Sequence, residues 1–444
     1  MKRIVLTILG LSVALAVSAQ TRTINVDEAV SLAIEQNLSL MKSGVDLATA
    51  KRAKDTAWNS FLPSLQVSGG FGADGRGFAE SDTNIGDPGT LGVTFGLSSS
   101  LNINAGLGAG IRNLIATYEA GLISYEDAKI KLERDVRKQF YQVLANQENI
   151  RIAQANIDLA EKRLEQAKNN FANGLTPELE VLKAEVTVAN LRPPYDNSVA
   201  GTEALMLGLK FLMGEDRNAN IVLEGELETS LYDIDAENII SKYLPRRLDI
   251  QALDKQLAAL EYAKSGTQFQ AYSPTINLGF NYNGSANNAN MSPGTPPTPI
   301  DPWQVGDKIS FSIGLGMDLS SFIPGSSTDV NIKKLQDSID SLVISRQMAY
   351  ENAGIEITNL VNNLKSSRNT IEANTSSVEL AKRTYDLTEE AYSVGTKELL
   401  DVETAQNEYL TAVQQLLMAK YNYLSGLLDL EYALNTPIEE FVGQ

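Results

Sequence analysis

Apolar and polar residues alternate along four separate segments of the chain. One face of each segment is apolar, and the other consists largely of Gly, Ser, Thr and Asn. The apolar positions are Leu65, Val67 and Phe71; Val93, Phe95, Leu97, Leu101 and Ile103; Ile276, Leu278, Phe280 and Tyr282; and Ile309, Phe311, Ile313, Leu315, Met317 and Leu319. A period of two residues is typical of a β-strand whose two faces meet different environments. The pattern predicts strands at about 64–72, 91–103, 275–283 and 308–319.

A second pattern, with apolar positions alternately three and four residues apart, predicts long helices that pack lengthwise. One such seam comprises Ile150, Ala153, Ile157, Ala160, Leu164, Ala167 and Phe171, and a more polar one comprises Ile371, Asn374, Val378, Ala381, Tyr385, Thr388 and Tyr392. No proline occurs from Ala105 to Asn173. A single helix over that span would be on the order of 100 Å long. In the helix that follows, Pro193-Pro194 predicts a kink or a restart.

The two seams belong to an internal repeat. Residues recur 221 positions later without a gap: Leu159 and Ala160 as Leu380 and Ala381, Phe171 as Tyr392, Gly174 as Gly395, Leu179, Glu180 and Val181 as Leu400, Asp401 and Val402, and Ala184 as Ala405. We therefore expect a first repeat over 20–228 and a second over 229–444. Each contains a helix, two strands and a long helical hairpin, with turns at 174–176 and 395–397. The segment 214–235 is expected to connect the repeats, and Leu244-Pro245-Arg246-Arg247 to begin the next helix.

The N-terminal residues predict export. A basic start at Lys2 and Arg3 precedes an apolar run from Ile4 to Val17, and Val17 and Ala19 are small enough for a signal peptidase. We expect residues 1–19 to be a signal peptide. An N-terminal membrane anchor is the alternative, but the run is shorter than the ~20 residues of a spanning helix. The chain has no Cys, so the expected mature end is not lipidated through a thioether.

Composition excludes several kinds of chemistry. The 444 residues contain no His and no Cys, which removes His-based triads, thiol catalysis, zinc sites built from these residues and disulfides. We expect no metal and no cofactor. The formal net charge of −18 argues against a nucleic-acid partner and predicts that any selection by charge favours cations.

The strands have the length and the two-faced pattern of membrane strands. A soluble sandwich is the alternative, although its exposed face would usually carry more charge. Long loops at 73–90 and 284–306 suit the outer rim of a barrel. Four strands cannot close a barrel, and an open edge is not tolerated in lipid. The chain must then pool strands with copies of itself. Two copies would supply about eight strands, with an interior filled by side chains, and three would supply about twelve, enough for an open lumen.

Short motifs in a fixed order resemble the TolC family of outer-membrane efflux channels. They include Thr23-Ile24-Asn25-Val26-Asp27-Glu28-Ala29, Phe61-Leu62-Pro63-Ser64-Leu65, Tyr392-Ser393-Val394-Gly395-Thr396-Lys397, Leu400-Asp401-Val402 and Tyr421-Asn422-Tyr423-Leu424. The resemblance covers nearly the whole chain after residue 19. It implies an α+β membrane protein: a homotrimer with a 12-stranded outer-membrane β-barrel, four strands per chain, continued by a long α-helical coiled-coil barrel.

The resemblance also implies a function. A family member in the outer membrane acts as the exit duct of a tripartite efflux or type I secretion system, with a long periplasmic extension. Its partners are a periplasmic adaptor (membrane fusion) protein and an inner-membrane pump of the RND, ABC or MFS type. The family's adaptor-contact turns correspond to Gly174, Leu175, Thr176, Gly395, Thr396 and Lys397, and its periplasmic gate corresponds to Glu180, Tyr392, Lys397 and Asp401. Tyr392 and Lys397 are expected to hold the inner helix pair to the outer pair. Thr404 stands where a further acidic gate residue is expected.

Helix capping also accounts for part of the two turns. Gly174 and Gly395 are typical of a helix end in the left-handed conformation. Thr176 and Thr396 are expected to cap the helices that follow, with Pro177 at a first helical position. Capping does not account for Tyr392 or Asp401.

Two other function classes remain as alternatives. Gly106-Leu107-Gly108-Ala109-Gly110 superficially resembles a dinucleotide fingerprint, but the third glycine is one residue early and no βαβ unit surrounds it. We therefore interpret this segment as a flexible joint and do not expect an enzyme. The second alternative is a barrel-anchored trimeric coiled-coil spacer or adhesin without an open lumen. The polar strand face and the polar second seam favour a wet interior.

Overall fold

The computed structural model describes residues 22–74, 90–228, 230–288 and 304–442. The expected signal peptide and most of the two expected loops lie outside the described residues. The chain divides into two compact units. The first contains the described parts of Met1–Gly44, Tyr125–Leu248 and Tyr350–Gln444, and the second contains those of Val45–Ser124 and Asp249–Ala349.

The described residues are mostly helical, with a small sheet region. The elements are β1 (Arg22–Ile24), α1 (Val26–Gln36), α2 (Leu38–Asp55), β2 (Ser64–Asp74), β3 (Thr90–Ile103), α3 (Gly106–Ala172), α4 (Glu178–Met213), β4 (Ile221–Leu223), α5 (Ala236–Tyr243), α6 (Leu248–Tyr272), β5 (Thr275–Asn288), β6 (Gln304–Gly316), α7 (Ser327–Ser393), α8 (Leu399–Leu434) and α9 (Ile438–Val442). Short 3₁₀ helices occupy Ala57–Phe61, Leu244–Arg246 and Leu319–Phe322.

The second unit contains a four-stranded antiparallel sheet in the order β2-β3-β5-β6. The register of the strands places apolar residues opposite apolar residues and polar residues opposite small or polar residues. Val67 pairs with Leu97, Leu97 with Tyr282, and Tyr282 with Ile309, so four apolar residues cross the sheet in one row. The next row, on the opposite face, is Ser68, Gly96, Asn283 and Lys308. Since side chains alternate between faces, the sheet has one apolar face and one small polar face.

All four segments with alternating apolar residues form strands, but the last one ends earlier than the pattern predicts. β6 stops at Gly316, whereas alternation continues to Leu319. The Asp318 side chain accepts a hydrogen bond from the Ser320 N–H at 2.9 Å and begins a 3₁₀ turn. This local hydrogen bond between a side chain and the backbone favours the turn over further strand pairing, so β6 ends before the alternating apolar pattern does.

The core of the first unit joins the N-terminal helices to the long hairpins. Its buried members are Ile24, Ala29, Val30, Leu32, Ala33, Leu40, Leu132, Val136, Phe140, Val143, Leu209, Met213 and Leu223. Asn37, which is only 4% exposed, separates α1 from α2. Its amide donates to the Leu212 carbonyl at 2.9 Å and its oxygen accepts from the N–H groups of Ser39 and Leu40. One buried side chain therefore ends α1, begins α2 and attaches both to α4.

Within this unit α3 and α8 run antiparallel in contact. The Tyr432 hydroxyl donates to Asp127 at 3.1 Å, and the Lys138 ammonium donates to Asp429 at 2.7 Å. Further along, Gln406 of α8 contacts Asn156 and Arg163 of α3. These contacts progress in opposite directions along the two helices, so α3 and α8 are neighbours over much of their length in the unit.

Three expectations about the helices need correction. α4 continues through Pro193 and Pro194, so the helix does not restart there. Ala189 and Asn190, whose carbonyls lose their helical donors, are exposed, so water can bond them. Leu244-Pro245-Arg246-Arg247 does lead into a helix, α6, but this is not the first helix after the connecting segment, because α5 begins at Ala236, capped by the Asp235 carboxylate. Finally, the glycine-rich segment is not a flexible joint, because it forms the first turns of α3.

The connecting segment 214–235 also contains a strand that the sequence did not predict. β4 pairs in parallel with β1, with Thr23 opposite Val222. Gly214, which ends α4, has φ of +73°, and a Cβ there would meet the Gln36 carbonyl oxygen at 2.4 Å. Glycine is thus required where α4 meets the end of α1.

Candidate functional site

Two helical hairpins carry the sequence-predicted site residues. We call α3 with α4 the first hairpin and α7 with α8 the second hairpin. Their turns have the same geometry: the N–H of Gly174 donates to the Phe171 carbonyl, and the N–H of Gly395 donates to the Tyr392 carbonyl, both at 2.9 Å. The two glycines have φ of +73° and +76°. The predicted left-handed helix ends are therefore present in both hairpins.

The caps after these turns differ from the prediction. Pro177 is the N-cap of α4, and the Thr176 hydroxyl is buried without a hydrogen-bond partner among the described residues. The Thr396 hydroxyl donates backwards to the Ala391 carbonyl at 2.9 Å. The cap of α8 is Glu398, whose N–H donates to Asp401 at 3.3 Å. Neither threonine caps a helix, because each turn is one or two residues longer than the capping pattern assumed.

Apolar side chains are exposed at both turns. Leu175 is 73% exposed and Val394 is 70% exposed. Next to the turns, an apolar groove of about 430 Å³ runs between the first turns of α4 and α8. It is lined by Leu179, Glu180, Leu182, Lys183, Val186, Thr187, Leu399, Leu400 and Glu403. Sites of interaction with other molecules commonly expose apolar surface, as this end of the unit does.

The four residues that correspond to a gate do not contact one another across the hairpins. The Lys397 ammonium lies 3.4 Å from Asp401 at the start of α8. Glu180 pairs with Lys183, one turn along α4, at 2.9 Å, and this bond raises the pKa of Lys183. Lys397 thus contacts its own hairpin rather than the first one. Within the described chain, the structure gives the Tyr392 hydroxyl no hydrogen bond.

A hollow of about 850 Å³ lies between the four helices near the turns. It brings together Thr176, Glu180 and Tyr392 from the predicted set, while Lys397, Asp401 and the two glycines do not line it. Its other lining residues are Leu159, Lys162, Arg163, Gln166, Ala167, Asn170, Lys183, Glu389, Ser393, Glu398, Leu399, Leu400 and Val402. Its wall carries charges of both signs.

Sequence reasoning missed a polar cluster beside this hollow. The Arg163 guanidinium donates to the Gln406 side-chain oxygen at 2.5 Å, and the Gln406 amide donates to Asn156 at 2.5 Å. Gln406 is only 6% exposed. The signal was present in the sequence, because these residues adjoin the apolar seam positions Leu164, Ala405 and Ile157. A polar residue next to a seam is ordinarily interpreted as solvated.

Glu403 is half-buried next to the cluster. Desolvation raises its pKa, and the nearby Glu180 carboxylate acts in the same direction. The Arg163 guanidinium, the Thr187 hydroxyl and the Lys183 ammonium oppose this shift. Glu403 therefore lies on α8 facing groups from both helices of the first hairpin.

Among the residues that the structure describes, no group of three or more acidic side chains is arranged to hold a metal ion. No helix in the described ranges combines the length and apolar character needed to cross a membrane.

Comparisons with known proteins agree with this architecture. The outer membrane protein TolC of Salmonella enteritidis is 24% identical over 459 residues, which cover 99% of this chain and 87% of that protein. The pyoverdine export outer membrane protein OpmQ of Pseudomonas aeruginosa is 24% identical over 396 residues, with 86% of this chain and 80% of OpmQ covered. The crystal structure of the outer membrane protein VceC from Vibrio cholerae matches with a TM-score of 0.74 at 17% identity, covering 93% of this chain and 97% of VceC. The fold is that of a TolC-like channel.

A family model provides the assignment. The model described as "Outer membrane efflux protein" matches residues 29–193 and 239–436, well over half of the chain. Several of the structural neighbours are outer-membrane channels. The chain belongs to the outer membrane efflux protein family.

Proposed function

We propose that this chain is the outer-membrane exit duct of a tripartite efflux or type I secretion assembly. It would conduct substrates passively from a periplasmic adaptor and an inner-membrane pump of the RND, ABC or MFS type to the outside. Residues 1–19 would serve as the export signal, and the mature end would not be lipidated. Each of the two segments that match the family model lies within one of the two proposed repeats, 20–228 and 229–444.

The observation that carries the proposal is the two-faced sheet. On its apolar face Val67, Phe311 and Ile313 are 63%, 79% and 83% exposed. So much exposed apolar surface on one sheet is unfavourable in water and favourable against lipid tails. The opposite face is rich in Ser, Gly and Asn, which suits a water-filled lumen.

The strand order supports a trimer. β2 and β6 lie at the two ends of the sheet, so each has one edge without a strand partner among the described residues. Open edges are not tolerated in lipid. Joining β6 of one copy to β2 of the next, three times, would close a barrel of about twelve strands with room for a lumen. The helices of the first unit would assemble in the same threefold way into a helical tube.

The hairpin turns are the proposed contact with the adaptor. Gly174, Leu175 and Thr176 form one turn and Gly395, Thr396 and Lys397 the other. Their support is the duplicated backbone geometry and the exposed apolar side chains beside them. Three copies of Glu180, Tyr392, Lys397 and Asp401 would narrow the duct near this end. An adaptor bound to the turns would favour separated hairpins, to the extent that it binds that state more tightly.

The proposal is tested by dye release from vesicles. Vesicles that contain the purified full chain should release an entrapped small polar dye and retain an entrapped large dextran, and the chain should have the mass of a trimer in detergent. A trimer that retains the dye would support the spacer or adhesin instead. A monomer that stays in solution without detergent would contradict both. Cross-linking in the native envelope, followed by identification of the adaptor and pump, would then define the assembly.

A further inference from the structure

The polar face of the four-stranded sheet is almost without charge. Its positions alternate with those of the apolar face over residues 64–72 of β2, 92–102 of β3, 275–285 of β5 and 306–316 of β6. Gly, Ser, Thr, Asn and Gln occupy all of these positions except one, which is Lys308 of β6. A single cation on an otherwise neutral face sets the sign of the electrostatic potential there.

The charge of Lys308 is not neutralised within the described parts of the sheet. Its side chain is exposed, and among the described residues its ammonium has neither an ion pair nor a hydrogen bond. Asn283 stands opposite it, but the side-chain oxygen of Asn283 lies 3.5 Å from the place of a Cβ on Gly96 and so leans toward β3. The adjacent acid, Asp307, projects from the opposite face of the strand. Residues 64–72 of β2, the strand that the next copy would bring beside β6, contain no acid.

Closure of the barrel by three copies would bring three Lys308 ammonium groups to one level of the lumen. Strands about 4.8 Å apart and tilted by about 40° give a twelve-stranded barrel a radius of about 12 Å. The four-carbon stem of a lysine extends about 6 Å inward, which leaves each ammonium group about 6 Å from the axis. That distance is shorter than the Debye length of about 8 Å in physiological salt. An anion on the axis would therefore be attracted by all three lysines at once.

We propose that the three Lys308 side chains form an anion site in the lumen of the barrel, which binds small solutes that carry several negative charges. The inference rests on the proposed trimeric channel. Lysines that ring a pore attract anions and repel cations, and the low-dielectric wall strengthens both effects. A polyvalent anion also offsets the mutual repulsion of the three ammonium groups more fully than a monovalent one does. The barrel thus selects in the opposite sense to the preference for cations that the net charge of −18 predicts.

Block of single-channel current by inorganic tripolyphosphate tests this inference on the full chain in planar bilayers. Tripolyphosphate should reduce the current in dilute salt and lose this effect in about 1 M salt. Lys308→Met should weaken the block by at least about tenfold, because it removes three charges from the trimer. Lys308→Arg, which keeps the charge, should retain the block. Asp307→Asn, a change of one charge at the adjacent residue on the opposite face, is the matched control and should leave the block unchanged.

Binding measured without conduction separates the anion site from the channel function. Isothermal titration calorimetry of the detergent-purified trimer with tripolyphosphate should show one site per trimer, and no site in Lys308→Met. Tripolyphosphate that affects the unaltered protein and Lys308→Met equally, or affects neither, would overturn the anion site and leave a conducting channel standing. Binding that depends on Lys308 in a trimer that never conducts would support the anion site and contradict the channel function.

Discussion

Gly174 and Gly395 occupy corresponding positions in the two hairpins and have almost the same backbone conformation, with φ of +73° and +76°. At both positions a Cβ would meet nothing within 4 Å. Any penalty for a side chain there must therefore come from the backbone itself rather than from a clash.

Alanine at either glycine should loosen the turn. The left-handed conformation costs an L-residue about 1 kcal/mol, so Gly174→Ala or Gly395→Ala should weaken the turn locally by that amount. Gly174→Asn should cost less, because Asn tolerates this conformation. Hydrogen exchange of the backbone amides at 170–176 and 391–397 measures the effect. Equal protection in the alanine and asparagine variants would contradict the backbone explanation.

Neighbouring residues on β6 should respond oppositely to the same substitution. Ile313 lies on the apolar face and is 83% exposed, while Ser312 lies on the polar face. Ile313→Lys should reduce assembly in the outer membrane, because a lysine facing lipid near the midplane costs about 2 kcal/mol or more. Ser312→Lys should assemble normally and is the matched control. The measurement is the fraction of trimer in the outer-membrane fraction, and equal loss in both variants would argue against lipid on the Ile313 face.

The acidic residues near the turns should control ion selectivity. Because Lys397 lies against Asp401, removing the lysine should expose the carboxylate and increase preference for cations. Asp401→Asn combined with Glu180→Gln should increase anion permeability. Reversal potentials under a salt gradient measure both effects. Glu379→Gln, the same charge change at an exposed position of α7, is the control. Unchanged selectivity in the double variant would place these carboxylates away from the constriction.

Glu403 should make the hairpin pair more stable at mildly acidic pH. Desolvation raises the pKa of its carboxyl, so its neutral form is favoured in the folded state. This contribution to stability is fully present below the ordinary pKa of a glutamate and is lost as the pH rises through the raised value. Thermal unfolding followed from neutral to mildly acidic pH should show less stabilisation in Glu403→Gln than in the unaltered protein.

Glu148 should affect the pH dependence of thermal unfolding in the opposite direction to Glu403. Its hydrogen bond from Arg151 lowers its pKa, so its stabilising contribution is lost as the pH falls. Glu148→Gln should therefore change the pH dependence in the other direction, and only slightly, because the pair is largely exposed. A change of the same sign in the two variants would contradict the assigned causes.

Much of the architecture followed from periodicity. The alternation of apolar and polar residues located the strands, since each strand has two different faces. The run without proline predicted both ends of α3 to within one residue. Gly174 and Gly395 were identifiable because few other residues suit a left-handed helix end. These features depend on local preferences and on burial patterns, which a single sequence records directly.

The features that were missed depend on partners distant in sequence. β1 and β4 are only three residues each and form because they meet in space. α4 continues through Pro193 and Pro194 because the affected carbonyls face solvent. The hydrogen bond from Arg163 to Gln406 joins positions far apart in sequence, and nothing local distinguishes Gln406 from a solvated glutamine. Tertiary context decides such cases, and propensity alone does not.

The most direct test of the central claim is the current carried by the purified full chain in a planar lipid bilayer. A trimeric duct predicts discrete, uniform conductance steps, with current that Asp401→Asn and Glu180→Gln make less selective for cations. Insertion of the trimer without any current would contradict it.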